Sequence, residues 1–511
     1  MKPIARSIRT RQLGGYVCHS CTRNLRRSRR GYATTSQPST LEIYDVVCVG
    51  GGPAGLSLLA ALRANPITSP LKVALIESQS LDPTRKFSLP STQYSNRCSS
   101  LTPKSVGFLQ DIGAWEHVKR ERVCGYKGMR VWDGVSGASI DFSPEIGGAA
   151  TEGGVVAYMN ENLNLTRALL GRLDELGGVE VLEGEKVTGI GFGNDTSTAD
   201  LSSWPVVKTS GGRELAARLL VGADGGNSPV RTFAGIDSRG WDYGRVGVVA
   251  TLQMEGEGWG CEEGKIAYQR FLPTGPVACL PLPGKFCTLV WSTTPDLAAK
   301  LKALSAEDFV SMVNAAFRLS VTDLKYLHDL PSGQEEEVSW RENHTPFERE
   351  HVPMKVVGVQ EGSIASFPLK LRHADSYIGQ RVALVGDAAH TVHPLAGQGL
   401  NQGQGDVESL ANTIAYSVEH GMDIGVRMNL ERYESERYAQ NNMLMGVVDK
   451  LHKLYATENQ LVVGVRSLGL RAVNSLDSVK GFFMRQASGR GEKFFMGFSG
   501  QLPVSLNYKI K

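Results

Sequence analysis

Val46-Val47-Cys48-Val49-Gly50-Gly51-Gly52-Pro53-Ala54-Gly55 is the stretch whose reading decides the fold. Four apolar residues, three of them β-branched, describe a buried strand of a parallel sheet. Gly50, Gly52 and Gly55 then set out G-x-G-x-x-G, and Leu56-Ser57-Leu58-Leu59-Ala60-Ala61-Leu62 continues as a helix. Each glycine has a separate reason: a tight turn at Gly50, close approach of backbone to a pyrophosphate at Gly52, and close helix–strand packing at Gly55. Free N–H groups and the positive dipole end of the helix face the phosphates. A second strand, Leu71-Lys72-Val73-Ala74-Leu75-Ile76, ends in Glu77, 22 residues beyond Gly55. A carboxylate there accepts ribose hydroxyls and repels a 2′-phosphate. Strand, glycines, helix and acid together predict dinucleotide binding, without separating FAD from NAD.

Working outward, the 511 residues suffice for two or three domains, and 41% apolar with 21% charged residues is an ordinary globular composition. No apolar run approaches the ~18 residues of a membrane span, so any membrane contact is expected to be peripheral. The net charge of +3 is deceptive. Residues 1–32 hold Lys2, Arg6, Arg9, Arg11, Arg23, Arg26, Arg27, Arg29 and Arg30, and the first acid is Glu42. Without them, 46 basic face 52 acidic residues, a net of −6. An Arg-rich, acid-free leader containing serines predicts a mitochondrial transit peptide, with Arg30-Gly31-Tyr32-Ala33 placing the cut after Tyr32. The competing reading is a basic arm for nucleic acid, but the rest of the chain carries no basic surplus, so no nucleic-acid partner is expected. Cys18-His19-Ser20-Cys21 lies inside this leader and has no second pair, so no zinc site is expected. Cys48, Cys98, Cys124, Cys261, Cys279 and Cys287 lack metal spacing and are expected as free thiols.

Along the chain, Asp82–Asn96 predicts a long loop, Lys104–Ile112 a helix stopped by Gly113, Tyr126–Trp132 a strand, and Asn160–Leu176 a helix stopped by Gly177-Gly178. From about Tyr243 to Lys370 the pattern becomes antiparallel, with strands at Val246–Met254, Lys265–Phe271, Val277–Leu282 and Phe286–Trp291 around one helix, Ala306–Phe317. The acidic run Gln334–Glu337 reads as a solvated loop. Parallel character returns at Arg381–Val385, and the chain after Asp406 is mostly helical. The expected architecture is α/β: a discontinuous Rossmann-like dinucleotide-binding domain (42–242 and 371–420), an inserted mixed or antiparallel β-sheet substrate domain (243–370) and a C-terminal helical region (421–511), after the leader 1–32.

Two further turns have the same shape as the first. Leu219-Leu220-Val221-Gly222-Ala223-Asp224-Gly225-Gly226 delivers an aspartate into a glycine turn, with Ser228 and Arg231 opening a helix. Val382-Ala383-Leu384-Val385-Gly386-Asp387 does so again, and His390-Thr391-Val392-His393-Pro394-Leu395-Ala396-Gly397-Gln398-Gly399-Leu400-Asn401 leads into a helix start. Asp387 can accept hydrogen bonds from a polyol, and loop amides at Gly399 to Asn401 can face an electron-rich ring edge. His390 and His393 have two readings: hydrogen bonders that shape the loop, or groups near enough to tune a bound ring or substrate. Trp291, Phe271 and Phe367 read as core rather than as a substrate cage.

On these three turns the chain resembles the FAD-dependent aromatic hydroxylases of the p-hydroxybenzoate hydroxylase type, across residues 42–420. The resemblance implies that Gly50, Gly52, Gly55 and Glu77 hold the ADP half of FAD. It sets Arg97 and Asp224 near the ribityl and pyrophosphate, with Asp224 also where NAD(P)H would pass. Asp387 falls on the ribityl chain, and Pro394, Gly397, Gly399, Leu400 and Asn401 around the isoalloxazine, with His393 beside the ring. Phe271-Leu272-Pro273-Thr274-Gly275-Pro276, Phe367-Pro368-Leu369, the His390–Asn401 run and Gly481-Phe482-Phe483-Met484-Arg485-Gln486-Ala487 look like the ubiquinone-biosynthesis hydroxylases within that type. Gln404-Gly405-Asp406 departs from the Leu-Arg-Asp usual in bacterial members. With the leader, that favours the mitochondrial branch, which hydroxylates ring carbon 5 of a polyprenylated 4-hydroxybenzoate-derived phenol through a flavin 4a-hydroperoxide. The implied partners are the prenylated phenol, O₂, a ferredoxin with its reductase or NAD(P)H as electron source, and other ubiquinone-synthesis proteins at the matrix side of the inner membrane. No metal is implied. The rivals are an FAD-stabilised subunit without activity and a flavin dehydrogenase or halogenase on the same fold; the Trp-x-Trp-x-Ile-Pro run of flavin halogenases is absent. A water-insoluble tail calls for an apolar passage, and the strands Val246–Met254, Lys265–Phe271 and Val277–Leu282 are its expected walls.

Overall fold

The computed structural model describes residues 41–143, 154–195, 200–257, 259, 265–348, 351–392 and 398–475. The leader, His393, Pro394, Gly397, Cys261 and the Gly481–Ala487 run therefore lie outside the described residues, as does the expected site of transit-peptide cleavage.

The opening stretch forms strand Leu41–Val49, with Val46, Val47 and Cys48 fully buried, and then helix Pro53–Ala64, whose proline sits in the first turn where its missing N–H costs nothing. Val46 to Val49 pair in parallel with Val73 to Ile76, and Val73–Glu77 pairs in parallel with Val179–Glu183. Glu214–Gly222 pairs in parallel with Val382–Leu384. Among the described residues these strands belong to an eight-stranded sheet, beside a nine-stranded and a three-stranded one. Gly50 adopts φ +110, and a Cβ on it would stand 2.2 Å from the Ala223 carbonyl oxygen. Only glycine lets the first and second turns touch here.

The nine-stranded sheet is built on Ser238–Met254, a 17-residue strand that pairs antiparallel with Phe286–Thr293, Ala365–Ala374 and Val356–Val359. Gly275–Pro281, Ile266–Leu272, Gly128–Asp133 and Ser139–Phe142 complete that side. Its back face buries Val248, Ala250, Leu252, Leu289 and Trp291 against a helical layer led by Phe309, Val313 and Phe317.

That layer has four helices where sequence periodicity gives one: Pro295–Ala303, Ala306–Arg318, Val321–Asp329 and Gln334–His344. The short ones are made by their caps. Thr294 accepts from Leu297 N ahead of Pro295, and Ser320 forms a reciprocal capping box with Asp323. The acidic run is not a loop. Glu335, Glu336 and Glu337 fill the first turn of Gln334–His344, where negative charge meets the positive dipole end, and Gln334 is buried. Tyr126–Trp132 is not one strand either: Cys124–Tyr126 pairs with Ala157–Glu161 in the small sheet, while Gly128–Asp133 joins the large one. The expected long loop contains a short helix at Asp82–Arg85.

Candidate functional site

A cavity of about 590 Å³ lies where the three turns and the front of the nine-stranded sheet meet. Gly52, Pro53 and Ala54 enter it from the first turn, Ala223 and Gly225 from the second, and Gly386, Asp387, Gly399 and Leu400 from the third. The small sheet contributes Ser99, Ser100 and Tyr126, whose hydroxyl lies 2.8 Å from Ser100 Oγ. Facing these, the large sheet presents Met129, Gln269, Pro276, Ala278, Leu280, Val290, Ser292 and Phe367. Gln269 sits opposite Ala278, and Ala278 opposite Val290, so this wall is one pleated face. Phe367 is thus part of the wall and 36% exposed, not core. Trp291 is core, and Phe271 stacks on Tyr455 with ring centroids 4.1 Å apart. No lining residue comes from Val246–Met254: Val248, Ala250, Leu252 and Met254 point to the helical layer on the back.

The predicted residues divide into three groups. Gly52, Arg97, Asp387, Gly399 and Leu400 line the cavity. Gly50, Gly55, Glu77, Asp224 and Asn401 stand behind the lining and shape it. Glu77 Oε2 accepts from Gly51 N at 2.6 Å and Oε1 from Gln79 N at 2.8 Å, tying the glycine turn to the second strand. Asn401 Oδ1 accepts from Thr102 N at 2.9 Å and Ser105 Oγ at 2.8 Å, and its Nδ2 donates to Ser100 O at 2.7 Å. Its side chain therefore staples the start of helix Gln398–Glu419 to the small sheet. His393, Pro394 and Gly397 are the third group, outside the described residues.

Asp387 has its carboxylate open to the cavity but protein around most of it, and burial raises its pKa against a lowering by His390. Burial likewise raises Asp224, opposed by hydrogen bonds from Ser228 and Val230 N. The third turn is held from behind by a network that sequence reading missed. Asp406, fully buried, accepts from Gly386 N at 3.1 Å and lies 2.6 Å from His390 Nε2 through one oxygen. The other oxygen accepts from Arg437 Nε at 3.0 Å and Asn441 Nδ2 at 2.9 Å. Burial alone would raise its pKa, but His390, Arg437 and Asn441 outweigh it and hold the group at about 2. His390 is thus a shaping residue, buried behind the turn. Asn162, first residue of helix Asn162–Leu176, was also missed; its Oδ1 accepts from Ser99 Oγ at 2.6 Å beside the cavity. A further strand, Ala157–Glu161, running straight into a helix was the available signal.

The residues fit FAD. A Cβ built on Gly52 meets nothing within 4 Å, so the first helix start faces open cavity where a pyrophosphate would lie. Asp224 Oδ1 and both amide atoms of Gln404, a lining residue only 1% exposed, are buried without a partner among the described residues. Buried polar atoms left in this state call for a polar ligand or water. Among the described residues no cluster of His, Cys, Asp or Glu is arranged for a metal.

Fold and site define a flavoprotein, and residues 43–446 match the FAD binding domain family. In solved structures the fold recurs in p-nitrophenol 4-monooxygenase PnpA from Pseudomonas putida (TM-score 0.62, 17% identity, 89% of this chain and 100% of that one). It recurs also in P. aeruginosa PqsL in complex with 2-aminobenzoylacetate (TM-score 0.61, 20% identity, 83% of this chain and 100% of that one). More particularly, the chain belongs to the family of the mitochondrial ubiquinone biosynthesis monooxygenase COQ6. It is 40% identical to that protein from Schizosaccharomyces pombe, over 86% of this chain and 91% of the relative. The Saccharomyces cerevisiae protein is 38% identical over 90% and 96%, and the Homo sapiens protein 36% over 89% and 94%. The chain is an FAD-dependent aromatic-ring monooxygenase, using O₂, an aromatic substrate and an electron donor. When bound, FAD supplies the redox chemistry that activates O₂. The protein's share would be to hold the cofactor against the glycine turns, close the ring region to water and orient the substrate.

Proposed function

We propose that the enzyme hydroxylates ring carbon 5 of a polyprenylated 4-hydroxybenzoate-derived phenol in mitochondria, as a peripheral protein on the matrix side of the inner membrane. The single observation that carries the reading is the make-up of the cavity. Polar turns suited to a dinucleotide stand opposite a wall of Met129, Pro276, Ala278, Leu280, Val290 and Phe367, in which Gln269 and Ser292 are the polar exceptions. Such a wall suits an apolar tail, since each buried CH₂ gains about 0.8 kcal/mol, and two polar groups suffice to orient a phenol head. Gly50, Gly52, Gly55 and Glu77 would hold the ADP half, Arg97 and Asp224 the pyrophosphate region, and Asp387 the ribityl chain. Gly399, Leu400 and Asn401, with Pro394, Gly397 and His393, would border the ring. The nine-stranded sheet would act as the substrate domain, with 243–370 supplying its main body and Gly128–Asp133 and Ser139–Phe142 joining it from the first part of the chain. A ferredoxin with its reductase, or NAD(P)H, would deliver electrons, and other ubiquinone-synthesis proteins would assemble with it.

The test is turnover of polyprenylated 4-hydroxybenzoate under isotopically heavy O₂, with reduced ferredoxin and NADPH offered in turn. A product heavier by one labelled oxygen at ring carbon 5 is expected, and Leu280→Arg should abolish it while FAD stays bound. Labelled product from Leu280→Arg at the wild-type rate rejects the tail path. No labelled product with either donor rejects the substrate.

A further inference from the structure

The C-terminal helix Gln460–Ser475 carries an apolar stripe that no described residue covers. Leu461, Val465 and Leu468 follow at four- and three-residue steps on one face and are 81%, 74% and 71% exposed. The helix cannot roll to hide them, because its other face is pinned. Arg466, buried, donates to Asp133 Oδ1 at 2.8 Å and Oδ2 at 3.0 Å and to the carbonyls of Leu454 and Thr457. Leu470 packs with Phe271, Val448 and Tyr455. The preceding helix, Arg427–Tyr455, ends in the same manner: Met443, Val447 and Leu454 are 50%, 39% and 38% exposed along one stripe that also holds Lys450. In its last turn Lys453 stands 4.7 Å over the ring of Trp241, itself 43% exposed.

We propose that this helical hairpin is the surface by which the enzyme sits on an anionic bilayer, with Leu461, Val465 and Leu468 below the headgroups and Lys450, Lys453 and Trp241 at their level. Two observations select lipid as the occupant. Gln460–Ser475 contains no acidic residue to repel anionic headgroups, and on the preceding helix the charge of Asp449 is met by Lys453 at 2.8 Å, leaving Lys450 exposed as a base. Exposed leucines and valine on one helix, with Lys450 and Lys453 on the preceding one and Trp241 under Lys453, are the residue types of a membrane interface. No helix of the described residues is long and apolar enough to cross a membrane. The position also serves the reaction. In strand Ile266–Leu272, Gln269 lines the cavity, and Phe271, two residues and about 7 Å further on the same face, carries Tyr455 of the hairpin. Substrate wall and docking surface therefore share one sheet face, a link that rests on the membrane-borne substrate proposed above.

The experiment uses the full mature chain with FAD bound and vesicles of phosphatidylcholine with and without cardiolipin. Wild type should float with the cardiolipin vesicles. The triple variant Leu461→Glu/Val465→Glu/Leu468→Glu should lose about tenfold or more in vesicle affinity, with melting temperature and FAD content unchanged because all three positions are exposed. As a gain-of-signal control, Val465→Trp should shift its fluorescence to the blue on binding. Wild type that stays off the vesicles, or a triple variant that binds as wild type does, overturns the proposal. A triple variant that turns a wild-type dimer into a monomer without touching vesicle binding also overturns it and assigns the stripe to a second copy. Vesicle binding is read without turnover, so a failed hydroxylation assay leaves this result standing.

Discussion

At the residue scale, two glycines only two positions apart make opposite predictions. Gly50→Ala puts a methyl 2.2 Å from the Ala223 carbonyl oxygen at φ +110, so it should destabilise the fold by at least about 2 kcal/mol, read as a fall in the urea midpoint of apoprotein. Gly52→Ala meets no protein atom within 4 Å and should leave apoprotein stability unchanged, yet weaken FAD binding, read by flavin fluorescence titration. Equal effects of the two on apoprotein stability would contradict the geometry. Asp387→Ala removes the one carboxylate that the third turn opens to the cavity, and the purified variant should come off the column depleted of flavin. Full occupancy in Asp387→Ala would remove Asp387 from the cofactor site.

At the scale of elements, the third turn is positioned by a helix that never touches the cavity. Arg437, on Arg427–Tyr455, reaches Asp406 on Gln398–Glu419, and Asp406 holds Gly386 N and His390. Asp406→Ala leaves the Arg437 guanidinium buried without its anion, which costs about 3–5 kcal/mol. It also frees the Gly386–Asp387 turn, so flavin affinity should fall together with the urea midpoint. Asp406→Asn, which keeps hydrogen bonds but not the charge, should lie between wild type and alanine in both readings. These contacts join positions 20 and 31 residues apart. No periodicity announces them, whereas the strand-turn-helix patterns around Gly50, Asp224 and Asp387 are local and could be read directly. The capping signals of Thr294-Pro295 and Ser320–Asp323 were equally local, and they mark the helices that hydrophobic spacing alone passes over.

Across the whole molecule, buried histidines contribute to the response to acid. Burial, helped by Lys300, lowers His328 to about 4; burial, helped by His390, lowers His373 to about 4. An unfolded histidine titrates near 6.5, so the unfolded chain binds the extra protons first as pH falls. Their contribution to stability is complete above about pH 6.5 and is lost on the way down to about pH 4. The urea midpoint should therefore drop between pH 7 and pH 5, and His328→Phe, beside Trp291 at 5.9 Å, should flatten that slope. An unchanged slope in His328→Phe would mean that this ring is protonated in the fold. Asp406 acts lower, with its stabilising charge lost only as pH falls from about 4 toward about 2.

The sequence by itself determined the cofactor half of this protein, because that chemistry is written in contiguous residues. A glycine that must take φ +110 and a helix start are neighbours in the chain, and the carboxylate follows at the end of the very next strand, at Glu77. It also determined that the middle of the chain is an antiparallel sheet, since side chains alternate along each strand. Which face of that sheet meets the cavity was a tertiary decision. Alternation marks two faces but does not say which one a helical layer will take, and here the layer took Val248, Ala250 and Leu252 and left Gln269, Ala278 and Leu280 to the site. Phe367 and Trp291 show the same division: both are large aromatic residues in strands, and only the packing of the back layer makes one core and the other wall. The exposed stripe on Gln460–Ser475 was decided there too, because an amphipathic pattern acquires an outer apolar face only once Arg466 and Leu470 have been claimed by the sheet.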